Sequence, residues 1–174
     1  LYVRTLKMYL ALPKVVSGMN EKDPVAVARI MREFIDEPGG LDLHLGMFIP
    51  TIQGQGDEEQ RKYWIPKCVK LECIGTYAQT ELGHGTFLRG LETTATYDKS
   101  TEEFIMHSPT LTSTKWWPGG LGKTSTHAVV MARLFTQGKD HGVHPFVVQI
   151  RDNKNHQPLP GCTIGDIGNK MGYN

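Results

Sequence analysis

The sequence predicts an α+β fold, with an N-terminal helical segment followed by an antiparallel sheet or barrel. Three observations carry this. Apolar residues before residue 70 recur at helical spacing, whereas those after it fall in short runs with Thr-rich alternation. No helical stripe separates the later runs, which recur about every ten residues. The 174 residues are 39% hydrophobic and 21% charged, an ordinary globular composition that excludes a coiled coil or a disordered tail.

The helical half is read from its punctuation. Val27, Ile30, Met31, Phe34 and Ile35 form one stripe, with Asp23 placed as N-cap, Pro24 as first helical residue and Pro38-Gly39-Gly40 as the stop. Leu1 to Leu12 is read as helical as well. Leu41, Leu45, Phe48 and Ile52 form the next stripe, with a kink expected at Pro50. After Gly54-Gln55-Gly56 the pair Asp57 and Gln60 resembles a capping box, opening a helix that Pro66 is expected to stop.

Strands are expected at Ile74 to Gln79, Leu91 to Tyr97, Glu103 to His107, Ala128 to Phe135 and Phe146 to Ile150. Asp98 to Thr101 and Gly138 to Gly142 supply turns. The natural boundary is near residue 70, dividing residues 1–70 from residues 71–174.

Charge and cysteine content narrow the function. Nineteen Lys and Arg against eighteen Asp and Glu give a net charge of +1, so no global field attracts nucleic acid or an anionic membrane. No apolar run is long enough for a transmembrane segment. Cys68, Cys73 and Cys162 are an odd set whose spacing fits neither a redox CxxC nor a zinc knuckle, so reduced thiols in a reducing compartment are expected.

Several motifs fail on spacing. Gly119-Gly120-Leu121-Gly122-Lys123-Thr124 ends like a phosphate loop, but its first glycine would fall at Trp117. Gly83-His84-Gly85 begins like a dinucleotide fingerprint whose third glycine would fall at Leu88. His141 and His144 have no third ligand nearby, and no metal site is expected. No Gly-x-Ser-x-Gly elbow supports serine catalysis.

Two stretches remain. Tyr77-Ala78-Gln79-Thr80-Glu81-Leu82-Gly83-His84-Gly85-Thr86 runs from a strand end into a loop that can offer N–H groups and hydroxyls to a polar ligand, or simply turn the chain. Trp116-Trp117-Pro118-Gly119-Gly120 can wall a flat aromatic ligand, or serve as core and turn.

Together with Arg89 to Asp98 and Lys115 to Ser125, these stretches closely resemble the peroxisomal acyl-CoA oxidases, the oxidase branch of the acyl-CoA dehydrogenase superfamily. The likeness extends over Gly54 to Cys68 and Pro158 to Tyr173. It implies the superfamily fold, in which a helical N-terminal domain precedes a central antiparallel β-barrel domain, with a helical C-terminal part beyond. It also implies FAD as cofactor, fatty acyl-CoA as substrate, dioxygen as oxidant, a homodimer and a peroxisomal location.

By the same resemblance, Gln79 and Thr80 contact the flavin ring, Trp117 lies beside it and Gly119 supplies a backbone contact. Gly85 and Thr86 match the loop position that approaches the cofactor phosphates or the thioester substrate, Gly85 being assigned to the cofactor and Thr86 to the substrate. The implied reaction is α,β-dehydrogenation: a base removes the α-proton, a hydride passes to flavin, and O2 reoxidises it with formation of H2O2. The family's base is a glutamate of the C-terminal helical region, to which nothing here aligns, so no catalytic residue is assigned in this chain. Glu81 belongs to the flavin motif and is not taken as the base.

One departure has physical content. The dehydrogenases usually carry Trp, an aliphatic residue and then Thr or Ser, whose hydroxyl bonds the flavin; Gly119 stands at that third position. This favours the oxidase over a dehydrogenase that passes electrons to a carrier flavoprotein. A non-catalytic FAD-binding or subunit-interaction piece is the other reading. The chain starts at Leu1 and ends at Gly172-Tyr173-Asn174, which is no peroxisomal address, so an internal fragment of a longer protein is expected.

Overall fold

The structure, a computed structural model, describes residues 39–171 and, before them, Val3, Lys7, Leu10, Ala11, Lys14, Ser17 and Gly18. The chain divides into two compact units. The first comprises Leu1–Asp42 with Gly168–Asn174. Its described positions from Val3 to Gly18 are helical. The Gly39 N–H donates to the Asp42 carboxylate at 2.9 Å. The Asp23 cap and the Pro24–Ile35 stripe lie outside the described residues.

The second unit, Leu43–Ile167, opens on a π-helical turn, His44–Phe48, that continues as helix α1, Ile49–Gln55. Pro50 lies in the first turn of α1. Having no N–H, it cannot close the α-type bond to residue 46, and the Ile49 N–H donates instead to the His44 carbonyl. The expected kink is therefore a change of helix type.

Helix α2, Glu58–Val69, is started by the capping box read from sequence: Gln60 N–H to Asp57 at 2.8 Å and Asp57 N–H to Gln60 at 3.0 Å. Pro66 does not stop it. A proline near the C-terminal end removes a single bond, and its own carbonyl still accepts from Lys70 N–H.

Five strands follow: β1 Gly75–Ala78, β2 Thr94–Asp98, β3 Glu103–His107, β4 His127–Thr136 and β5 Lys139–Gln149. The sheet is not the expected antiparallel barrel. β2–β3 and β4–β5 are antiparallel hairpins, but β1 and β2 both run parallel to β4, so the sheet is mixed and, among the described residues, open. Alternating polarity reports which face a strand buries, not its direction, so hydrophobic pattern alone could not have distinguished the two.

The β4–β5 turn is also tighter than expected. Gln137 and Gly138 alone make it, both with positive φ as a two-residue hairpin demands, while Gly142 at φ 84° sits within β5 where the register shifts.

β4 organises the unit. Its one edge pairs with β5 from His127 to Thr136. Its other edge pairs with β1 over His127–Val130 and with β2 over Arg133–Phe135, leaving a gap at Met131 and Ala132. The two faces of β4 fill separate cores. Val129 packs with Phe48, Ile49, Ile52, Cys68 and Cys73 beneath the helices. Ala128 packs with Ala78 and Ile150, flanked by Leu121, Val130 and Ile164. Gly75 is required by the first core, because a Cβ there would stand 2.1 Å from the Phe48 ring.

Candidate functional site

The gap in the β4 edge builds the site. Where β1 ends, the chain leaves the sheet at Gln79 and returns only at β2, so Gln79 to Thr93 form an outward loop. The later stretch from Leu111 to Trp116 pairs with this loop. Trp116 N–H donates to Thr80 carbonyl at 3.0 Å, Leu82 N–H to Thr114 at 2.9 Å and Gly83 N–H to Thr112 at 2.9 Å. Close approach explains Gly83, whose Cβ would lie 2.8 Å from Thr112. The two motif stretches singled out in the sequence are thus neighbouring strips of one short ladder, bridged at Glu81 and Lys115.

Lys115 and Glu81 hold the ladder to the sheet. The Lys115 ammonium donates to the Gln79 carbonyl at 3.1 Å, to Glu81 at 3.1 Å and to the Met131 carbonyl at 2.8 Å, the last within the β4 gap. Glu81, 2% exposed, also accepts from Glu92 N–H, Thr93 N–H and the Thr93 hydroxyl at 2.6 to 2.9 Å. Burial alone would raise its carboxyl, but these hydrogen bonds and the lysine hold it below the usual carboxylate range. Burial lowers the Lys115 ammonium, with Glu81 opposing the change.

Glu81, His84 and Glu92 come close enough for a metal ion to be considered. Both Glu81 oxygens are, however, taken by N–H, O–H and ammonium donors, and His84 Nε2 meets Glu92 at 2.9 Å. The cluster locks the loop with hydrogen bonds.

The structure brings four of the six site candidates together. Gln79 and Thr80, half-buried, leave the end of β1, and the Gln79 side chain accepts from the Tyr77 hydroxyl at 3.2 Å. Trp117 follows the ladder at 59% exposure and φ 77°. A bulky side chain in that region carries of order 1–3 kcal/mol of strain, which its surroundings must impose. Trp116 N–H fixes it on one side, and on the other the Thr76 hydroxyl donates to the Gly119 carbonyl at 2.7 Å. Gly119 is exposed, with Leu43 3.2 Å from where a Cβ would stand. Gly85 and Thr86 lie apart, exposed on the outward loop beyond His84.

Comparison with known proteins places this chain beside one set of relatives. The Acyl-coenzyme A oxidase N-terminal family model matches residues 1–74. Peroxisomal acyl-coenzyme A oxidase 1 of Arabidopsis thaliana is 62% identical over 142 residues, which are 82% of this chain and 21% of the relative. The solved structure of Arabidopsis thaliana acyl-CoA oxidase 1 matches with a TM-score of 0.87 at 53% identity, over 99% of this chain and 26% of that one. Over nearly its whole length this chain is similar to one part of the acyl-CoA oxidases. Acyl-CoA oxidase-1 of Caenorhabditis elegans, complexed with FAD and ATP, matches with a TM-score of 0.85 at 46% identity, over 96% of this chain and 26% of that one. The chain spans about a quarter of the length of these acyl-CoA oxidases.

Sequence reasoning missed two residues that hold this site together. Lys115 was read only as the start of a motif. Arg151 went unnoticed, yet its buried guanidinium donates to the carbonyls of Leu121, Gly122 and Ser125 at 2.6 to 2.9 Å, fixing the turn behind Gly119. The available signal was negative: neither cation belongs to an alternating or helical charge pattern, so neither has a solvated face to occupy.

Proposed function

We propose that the protein containing this chain is an FAD-dependent acyl-CoA oxidase, an oxidoreductase of the peroxisome. It converts a fatty acyl-CoA to the trans-2-enoyl-CoA with reduction of O2 to H2O2, the first step of β-oxidation. In this reading residues 71–174 are the flavin-facing domain, residues 1–70 the end of the helical domain, and the enzyme is a homodimer. The carrying observation is the Glu81–Lys115 ladder, which sets Gln79 and Thr80 beside Trp117 and Gly119. The complex of the Caenorhabditis elegans relative with FAD and the peroxisomal name of the Arabidopsis relative support cofactor and location.

The residues present fit a flavin. A strained, exposed tryptophan beside an open glycine and a threonine hydroxyl offers an aromatic wall, backbone groups and one hydrogen-bonding side chain in one place. When bound, FAD accepts the hydride equivalent of the acyl chain and passes electrons to dioxygen. Thr80 and Gln79 orient the ring with hydroxyl and backbone groups, and Trp117 shields one side from water. Gly119, having no side chain, leaves room beside the ring through which dioxygen reaches it. Gly85 and Thr86, on the exposed loop, meet the cofactor phosphates or the thioester. The base is supplied from outside these residues.

The full-length protein tests this with an acyl-CoA substrate in an oxygen electrode. Oxygen uptake matched by hydrogen peroxide supports the oxidase. Reduction of an artificial acceptor without oxygen uptake would assign a dehydrogenase, and bound FAD with neither activity a non-catalytic role.

A further inference from the structure

Cys68 and Cys73 lie at the two ends of the turn joining α2 to β1. Leu71, at φ 57°, reverses the chain between them, with Leu71 N–H on the Cys68 carbonyl and Glu72 N–H on the Lys67 carbonyl at 2.9 to 3.0 Å. The turn leaves the two sulfurs 3.5 Å apart as free thiols. They are not equivalent. Cys68 is sealed in the core beneath the helices, whereas Cys73 also lines a cavity of about 470 Å³. The exposed residues Tyr63, Glu72 and Val147 share that lining, so the cavity communicates with solvent. Lys67 stands at the same cavity, its ammonium 3.3 Å from the centre of the Tyr63 ring.

We propose that Cys68 and Cys73 form a site of reversible oxidation, at which hydrogen peroxide converts the thiol pair to an intrachain disulfide. Cys73 is the attacking thiol and Cys68 the resolving one. The hydrogen bond from Cys68 pulls the Cys73 thiol down and burial opposes it, while Lys67 lowers it and Glu72 raises it. Cys68 itself is pushed up, first by that hydrogen bond and then by burial, so it stays protonated until attack.

The Cys73 thiolate attacks one peroxide oxygen, the O–O bond breaks, and hydroxide leaves to become water with the proton released from the thiol. Cys73 is then a sulfenic acid. The Cys68 sulfur attacks the Cys73 sulfur, the S–S bond forms, the S–O bond breaks and the Cys68 proton leaves with the hydroxyl as a second water. Two thiols are oxidised and one peroxide is reduced. The sulfurs must close from 3.5 Å to about 2.05 Å. The site involves neither flavin nor acyl-CoA, so its failure would leave the proposed activity untouched.

The test exposes the protein to hydrogen peroxide, blocks remaining thiols with an alkylating reagent and maps tryptic peptides by mass. The expected product is a disulfide joining Cys68–Lys70 to Leu71–Arg89, lost on reduction with dithiothreitol, while Cys162 joins no intrachain pair. In Cys68→Ser the cross-link disappears and Cys73 is trapped by dimedone as a sulfenic acid. The proposal is overturned if Cys68 and Cys73 stay fully alkylatable under peroxide that oxidises Cys162. It is equally overturned if Cys73 of the unsubstituted chain goes to higher acids with no cross-link.

Discussion

Lys115 and Glu81 meet at 3.1 Å in the one stretch of the β4 edge that no strand occupies, and the same ammonium reaches the Met131 carbonyl at 2.8 Å. A buried ion pair therefore stands where a strand would otherwise continue from β1 to β2. Its stabilisation comes from satisfying carbonyls and N–H groups that the gap leaves open, more than from Coulomb attraction. Removing one partner strands the other.

Glu81→Ala or Lys115→Met is expected to lower unfolding free energy by about 3–5 kcal/mol, the cost of a buried charge left unpaired. Denaturant titration reads this directly. A loss under about 1 kcal/mol, as exposed pairs give, would mean that the pair is solvated and does not hold the ladder.

Gly75→Ala is expected to destabilise by about 1–3 kcal/mol, since its Cβ would fall 2.1 Å from the Phe48 ring. Trimming the ring in Gly75→Ala with Phe48→Leu should return part of this in a double-mutant cycle. Purely additive losses would show that the two positions do not touch.

Acid should weaken the fold through two buried histidines. Burial, with Lys67 nearby, lowers His127 to about 4, and burial lowers His44, whose Nδ1 must accept from Gly75 N–H at 3.0 Å. Both folded values lie below the unfolded value of 6.5. The unfolded chain thus binds more protons between about 4 and 6.5, and the histidines' contribution is complete above 6.5 and lost as pH falls toward 4. For His127 this is on the order of 3 kcal/mol. Melting temperature against pH should fall across that window, and His127→Gln should flatten the fall. An unchanged slope in the variant would contradict the assignment.

Gly119→Thr would restore a side chain at the open position, its Cβ 3.2 Å from a Leu43 methyl that can swing aside. In the full-length enzyme, peroxide formation should slow more than anaerobic flavin reduction. Equal losses in stopped-flow measurements would remove the idea that the missing side chain admits dioxygen.

Much of the fold was legible because local chemistry decided it. The Asp57–Gln60 capping box needs only two residues three apart, and Glu103–His107 needs only its alternation and the turn before it. Strand direction was not legible, because it depends on where the long segment from Gln79 to Thr126 returns the chain. Gln79, Thr80, Trp117 and Gly119 could be nominated through the family resemblance. Their adjacency could not, since it is made by backbone bonds between Leu82 and Thr114 or Trp116 and Thr80, which any side chains could make. Lys115 and Arg151 were missed for the opposite reason. Each is a lone cation in sequence, and only the buried carbonyls around it give it a role.

The most direct test of the flavin-facing assignment is FAD affinity of the full-length protein, measured by flavin fluorescence titration. Thr80→Val, which removes one hydrogen bond, should weaken binding by about tenfold. Trp117→Ala should weaken it at least as much, while Cys162→Ser leaves it unchanged. If Thr80→Val and Trp117→Ala, folded by circular dichroism, bind FAD as tightly as the parent, the strip from Gln79 to Gly119 is not the flavin site.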